Sequence, residues 1–270
     1  MSTAARTPPV REGTGWYVYG AVPAGEASVE AFAGVRGVDP SAGVSLIVEG
    51  PVAAVASPVP LAEFGAGAID ERLRSPEWLE DKVRAHEAVL EAALRGSAVV
   101  PFRFGAIYHG ESHIRQMLRD HELLAPTLER LRGAVELGVK GFLDSARFRA
   151  SREGEGPQAS APGGRAYLLR KQRERALTED GRAFQVACAR ESHEALTAVA
   201  REARLLPLRQ PELSAYEGEM FLNAAYLVDT TGDAQFRERF AALESEHWRD
   251  GVDYELTGPW PPYNFVEDDE

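Results

Sequence analysis

The sequence predicts an α+β chain organised as two domains. Its 270 residues exceed the usual single-domain size, and a hydrophobic content of 44% suffices to build two packed cores. Runs dense in aromatic and β-branched residues also alternate with segments that repeat apolar residues every three or four positions, the marks of strands and amphipathic helices.

Residues 1–15, rich in Ala, Thr, Pro, Gly and Arg, offer no periodic apolar face and read as a disordered leader. Order is expected from Trp16. Trp16-Tyr-Val-Tyr-Gly-Ala-Val22 reads as a strand stopped by Pro23, and 44–49 and 52–56 as two more around the turn Glu49-Gly50-Pro51. Between the first two strands only 28–34 could form a helix, a short one. Ser75-Pro76-Glu77 opens a helix: Ser suits the N-cap, Pro the first helical position, and Glu the positive dipole end. Leu79, Val83, His86, Leu90 and Leu94 would form its buried face, and Gly96 would end it. In 98–104, Pro101 withholds a ladder donor, so this run is an edge strand or carries a bulge. Residues 111–131 read as helix, broken before Pro126.

The alternating run 134–140 reads as a half-buried strand and opens the second domain. Residues 151–164, with their Gly, Pro, Ser and Gln, read as a flexible insertion. The stretch 165–204 has almost no helix breakers and would span about 60 Å if helical throughout. Its inner face would be Phe184, Cys188, Ala195, Val199 and Ala203, and its charged first half would project from the domain. Strands at 205–208, 220–228 and 252–256 and a helix at 233–247, striped by Phe236, Phe240 and Leu243, complete the chain. The second half thus runs strand, helix, strand, strand, helix, strand, the ferredoxin-like (βαββαβ) order with a long first helix, and the first half is a distorted α+β relative. The expected division is a leader at 1–15, an N-terminal domain at 16–133, a C-terminal domain at 134–266 and an acidic tail at 267–270.

With 42 acidic against 30 basic side chains, the formal charge is −12, which disfavours nucleic acid as a partner. The longest basic-looking run, 165–175, spreads its charges around a helix. The single cysteine, Cys188, rules out an internal disulfide and fits a reducing cytoplasm. No run approaches the ~20 apolar residues that would cross a lipid bilayer, so neither a membrane span nor a lipid partner is expected.

The search for chemistry returns little. His109 and His113 have metal-like spacing but no evident third ligand, so no metal is assigned. His86 lies on the apolar side of its helix. His121, His193 and His247 each adjoin a glutamate in sequence, and adjacent helical residues do not face one another. Cys188 sits among small apolar residues as filler. Neither a dinucleotide fingerprint nor a nucleotide-binding Gly-Lys-Ser/Thr loop is present; Gly65-Ala-Gly67 is a flexible turn. No catalytic residue and no cofactor is assigned.

The end of the chain is distinctive. Gly258-Pro-Trp-Pro-Pro-Tyr-Asn-Phe265 interleaves prolines with three aromatic rings, so it should be extended and stiff. Trp260, Tyr263 and Phe265 have two readings: they seal their own domain, or they anchor a partner.

The segment Tyr254-Glu-Leu-Thr-Gly-Pro-Trp-Pro-Pro-Tyr-Asn-Phe-Val266 resembles the C-terminal signature of the gas vesicle GvpL/GvpF family. Trp16-Tyr-Val-Tyr-Gly, His86-Glu-Ala-Val-Leu90, Val99-Val-Pro-Phe-Arg-Phe-Gly105 and Gly164-Arg-Ala-Tyr-Leu168 support the resemblance, which spans 16–266. It implies a non-catalytic assembly protein or minor structural component that acts in gas vesicle organization and hence buoyancy. Its partner would be the small hydrophobic shell protein, whose apolar surface it would cover during nucleation of the wall, with other gas vesicle accessory proteins as further candidates. It would be located in the cytoplasm before assembly and at the gas vesicle afterwards. The alternatives are a ferredoxin-like enzyme whose cryptic pocket gathers some of His86, Arg103, His109 and Tyr108, and a ligand-sensing regulatory module that dimerises around a small-molecule cleft.

Overall fold

The computed structural model describes residues 13–153, 164–208 and 218–266. The chain divides into two compact units, 1–134 with 260–270, and 135–259. The leader expected at 1–15 therefore falls largely outside the described residues, as do the acidic tail and most of the insertion at 151–164. Thr14 and Gly15, assigned to the leader from sequence, already belong to the first strand.

The first unit is built on a sheet with strand order β2-β3-β1-β4, formed by β1 (Thr14–Pro23), β2 (Ser45–Glu49), β3 (Val52–Pro60) and β4 (Val100–Pro101). A short β5 (Ile107–Tyr108) also pairs with β1. β4 lies at the sheet edge, where Pro101 costs no internal ladder bond. β2 and β3 form an antiparallel hairpin closed by Gly50 and Pro51, with Gly50 at φ 57°. β1 carries a bulge. Its pairing with β3 skips from Val18 to Gly20, leaving Tyr19 unpaired on that side. At Gly20 a Cβ would sit 2.5 Å from the Val100 carbonyl oxygen, so the close approach of β4 requires glycine.

β1 is buried along almost its whole length. Tyr17 and Tyr19 pack in one core with Val89, Leu90 and Ala93 of α3 (Pro76–Leu94). Trp16 and Val18 alternate to the opposite face of the sheet. On α3 the buried stripe is Lys82, His86, Val89, Leu90 and Ala93, whereas Val83, expected inside, is exposed. The stripe begins at Lys82 because its aliphatic stem is buried while its ammonium approaches Asp81 at 3.2 Å. Ser75 takes the N-cap position and Pro76 the first turn, but the Ser75 hydroxyl makes no capping bond. Two short helices, α1 (Leu61–Phe64) and α2 (Ala68–Arg72), precede α3 and were not anticipated.

The expected 111–131 helix is two, α4 (Glu111–Asp120) and α5 (Leu124–Leu131). The break falls at 121–123, upstream of the expected point. Pro126 sits in the first turn of α5, where a backbone N–H has no intrahelical partner to lose.

The second unit carries a sheet of order β7-β8-β6-β9, from β6 (Ala134–Leu143), β7 (Glu202–Leu205), β8 (Glu219–Asp229) and β9 (Val252–Trp260). α6 (Ser145–Glu153), α7 (Gly164–Thr197) and α8 (Asp233–His247) complete it. Its core joins Leu137 and Val139 of β6, Tyr226 and Val228 of β8, Cys188 and Leu196 of α7, and the full predicted stripe of α8, Phe236, Phe240 and Leu243. The long helix stops at Thr197 rather than near 204. It spans about 51 Å at 1.5 Å per residue, and Val199 and Ala203 reach the core from beyond its end. Packing starts only at Gly181 and Phe184, and residues 167–176 are exposed throughout. α6 overlaps the expected insertion only at its last three residues, 151–153; the sequence carries no helix signal for the rest of it. Its anchor is Phe148, buried beside Phe184 with the rings 5.2 Å apart.

Candidate functional site

The C-terminal segment expected to be one extended strip is divided by its own sequence. β9 ends at Trp260, Pro261 and Pro262 interrupt the ladder, and Tyr263–Phe265 make a single 3-10 turn. Trp260, Tyr263 and Phe265 group with the first unit, not with the strand that leads into them. Their environments differ sharply. Phe265 is 0% exposed, and its carbonyl accepts a hydrogen bond from the Arg130 guanidinium. Tyr263 is half-buried against the α3 core, and Trp260 remains 40% exposed.

Tyr263 joins a directional chain of hydrogen bonds. The Gly105 N–H donates to the Tyr17 hydroxyl oxygen at 3.1 Å, and that hydroxyl lies 2.9 Å from His86 Nδ1. His86 Nε2 is 3.0 Å from the Tyr263 oxygen, whose proton goes to Glu87 Oε1 at 2.9 Å. With that hydroxyl proton spent on the carboxylate, Nε2 must be the donor, so His86 is the neutral tautomer protonated at Nε2. Burial pushes the His86 pKa down to about 4, opposed by the Phe102 carbonyl, and pushes Tyr17 and Glu87 up. A histidine held neutral, enclosed and partnered at both nitrogens has no route to a substrate proton. Chemically this is a latch between α3, β1 and the chain end.

The other candidates are dispersed. Arg103 and Tyr108 share a cavity of about 340 Å³ with His121, Leu123, Leu124 and Val266, while His86 and His109 do not line it. His113 bonds through its backbone to Gly110 at the start of α4. Cys188 Sγ lies 3.2 Å from the Tyr254 hydroxyl, itself 2.6 Å from Ser192 Oγ, and burial pushes the thiol pKa up. Such a thiol is poorly ionised and poorly nucleophilic. One cluster escaped sequence reasoning: Glu191, Glu246 and His247 offer ligand atoms that all lie within 4.8 Å of one another. Only the helical pairing of α7 with α8 brings them together, and no spacing within either helix signals it.

The family model described as gas vesicle synthesis protein GvpL/GvpF matches residues 15–267. The chain belongs to the GvpL/GvpF family. Gas vesicle protein L of Streptomyces sp. (strain CB03234) is 33% identical over 222 residues, which cover 82% of each chain. Gas vesicle protein L1 of Halobacterium salinarum is 30% identical over 224 residues, covering 76% of this chain and 79% of that protein. The fold is that of GvpF from Anabaena sp. PCC7120, whose crystal structure superposes with a TM-score of 0.69 at 19% identity, covering 95% of this chain and 98% of that one. GvpL/GvpF membership gives the chain a gas vesicle role and gas vesicle proteins as associates. No described helix is long and apolar enough to cross a membrane.

Proposed function

We infer that this chain is a non-catalytic assembly protein that binds the small hydrophobic shell protein and assists nucleation of the gas vesicle wall. The observation that carries the reading is the first half of α7. There Tyr167, Leu168 and Leu169 stand 55%, 60% and 48% exposed on a helix that packs against its own unit only farther along. Three consecutive apolar side chains, splayed around one solvent-exposed turn beside Arg170, Lys171 and Arg173, suit a segment that inserts among another chain's apolar groups while its charges keep it dispersed in water. Trp260 is the member of the C-terminal trio with a face open to a partner, whereas Phe265 is committed to the core. The chain would act in the cytoplasm before assembly and at the vesicle thereafter, with other gas vesicle accessory proteins as further partners. A ferredoxin-like reading of the second unit accords with its element order and with β6 and β8, the unit's first and third strands, lying side by side.

The test is co-expression with the shell protein followed by affinity capture on this chain. Capture of shell protein that otherwise aggregates is expected. Equal aggregation and no capture, with or without this chain, would overturn the reading.

A further inference from the structure

We propose that Glu191 of α7 with Glu246 and His247 of α8 form a divalent-cation site of the zinc class, clasping these two helices of the second unit. One imidazole nitrogen and two carboxylate oxygens lie within 4.8 Å of one another, a mixed nitrogen and oxygen set that favours zinc or a neighbouring first-row ion over magnesium or calcium.

The independent observation is His247 itself. Its side chain is nine-tenths buried, its Nε2 is enclosed, and that nitrogen has no hydrogen-bond partner among the described residues. A buried polar atom without a partner forfeits its hydration for nothing, and native folds rarely leave one without a compensating role. The ring is held in place by Phe184 and Tyr254, with centroids at 6.4 and 6.3 Å. The ring's orientation is thus fixed by its packing. The two carboxylates are exposed and can adjust. Drawing them in by roughly 1–2 Å brings all three atoms to the ~2.0–2.2 Å bond lengths of a zinc centre, with water completing the shell.

Electrostatics favour a cation at this point. His247 is the last residue of α8, so the carbonyl-bearing, negative end of the helix faces the site. Glu246 is also paired with Arg239 at 3.3 Å, but both are partly exposed, and such surface pairs are too weak to hold a carboxylate from a metal. The metal would join residues 55 positions apart and tie the end of α8 to the packed half of α7.

The experiment is calorimetric titration of the full chain with zinc chloride, paired with thermal unfolding and repeated with Glu191→Gln, Glu246→Gln and the double His109→Ala/His113→Ala variant. The expected result is one zinc bound, an upward shift in Tm, and at least about a tenfold loss of affinity in each glutamine variant. The histidine double variant should bind as the parent does. Both glutamates are exposed, so their variants fold, and circular dichroism confirms it. Absence of zinc binding, or binding that follows His109 and His113 instead of Glu191 and Glu246, overturns the proposal.

Discussion

Tyr263 and His86 are hydrogen-bonded at 3.0 Å across 177 residues of sequence. The bond closes the chain end onto α3, and it belongs to a continuous run: Gly105 to Tyr17, Tyr17 to His86, His86 to Tyr263, and Tyr263 to Glu87. In low-dielectric surroundings such a run is valuable only while complete, because each member left unpaired costs its desolvation.

Tyr263→Phe removes one oxygen and disturbs two neighbours. The Nε2–H of His86 loses its acceptor, and the half-buried Glu87 loses a donor. The expected cost is about 1–3 kcal/mol, read as a lower urea midpoint with an unchanged slope. An unchanged midpoint would show that the latch contributes nothing to stability.

The same network sets a pH response. His86 titrates near 4 when folded against 6.5 ordinarily, so the unfolded chain takes up the proton first on acidification. Stability from this group is therefore complete above pH 6.5 and is lost as pH falls through the folded value near 4, at no more than about 1.4 kcal/mol per pH unit. Glu87, whose pKa is raised, acts in the opposite sense, since the folded state binds its proton more readily. The direct check is the nuclear magnetic resonance titration of the His86 ring. It should remain neutral and protonated at Nε2 down to pH 5, and a midpoint between 6 and 7 would contradict the burial argument.

Phe265 and Trp260, five residues apart, should respond in opposite ways to truncation. Phe265→Ala empties a fully enclosed site and is expected to cost about 3–5 kcal/mol. Trp260→Ala trims a ring already 40% in water and should cost under about 1 kcal/mol. Equal losses by chemical denaturation would mean that Trp260 is as structural as Phe265.

What the sequence made legible was local. Ser75-Pro76-Glu77 announced α3, and Phe236, Phe240 and Leu243 announced α8 with its full extent. What it hid depends on encounters between distant segments. Nothing near Tyr263 or Phe265 signals that they pack with the first unit, because the information lies in His86, Glu87 and Arg130. The Glu246-His247 doublet carries no signal by itself because adjacent helical residues diverge, yet Glu191 from another helix approaches both. α6 went unseen because Arg147, Arg149 and Arg152 obscure the periodicity around its buried anchor, Phe148.

Gly20 offers a test of the close approach between β1 and β4. Gly20→Ala would place a methyl 2.5 Å from the Val100 carbonyl and 3.2 Å from Pro101 Cα, both backbone atoms unable to step aside cheaply. A loss of about 1–3 kcal/mol is expected. Gly25→Ala is the control, since a Cβ there meets nothing within 4 Å. It should be neutral or slightly stabilising by thermal unfolding.

The exposed start of α7 separates stability from function. Replacing Tyr167, Leu168 and Leu169 with Gln preserves helix-forming side chains and removes no core contact, so unfolding should shift by no more than about 0.5 kcal/mol. If these residues cover apolar shell-protein surface, capture in co-expression should fall several-fold or vanish. A stable variant that captures as well as the parent would move the contact elsewhere, to Trp260 first. A variant that loses several kcal/mol would show instead that these side chains are packed. Hydrogen exchange provides the matching physical readout. Amides from 167 to 176 should exchange quickly in the isolated chain, those near Cys188 and Leu196 slowly, and the fast set should slow when the shell protein is bound.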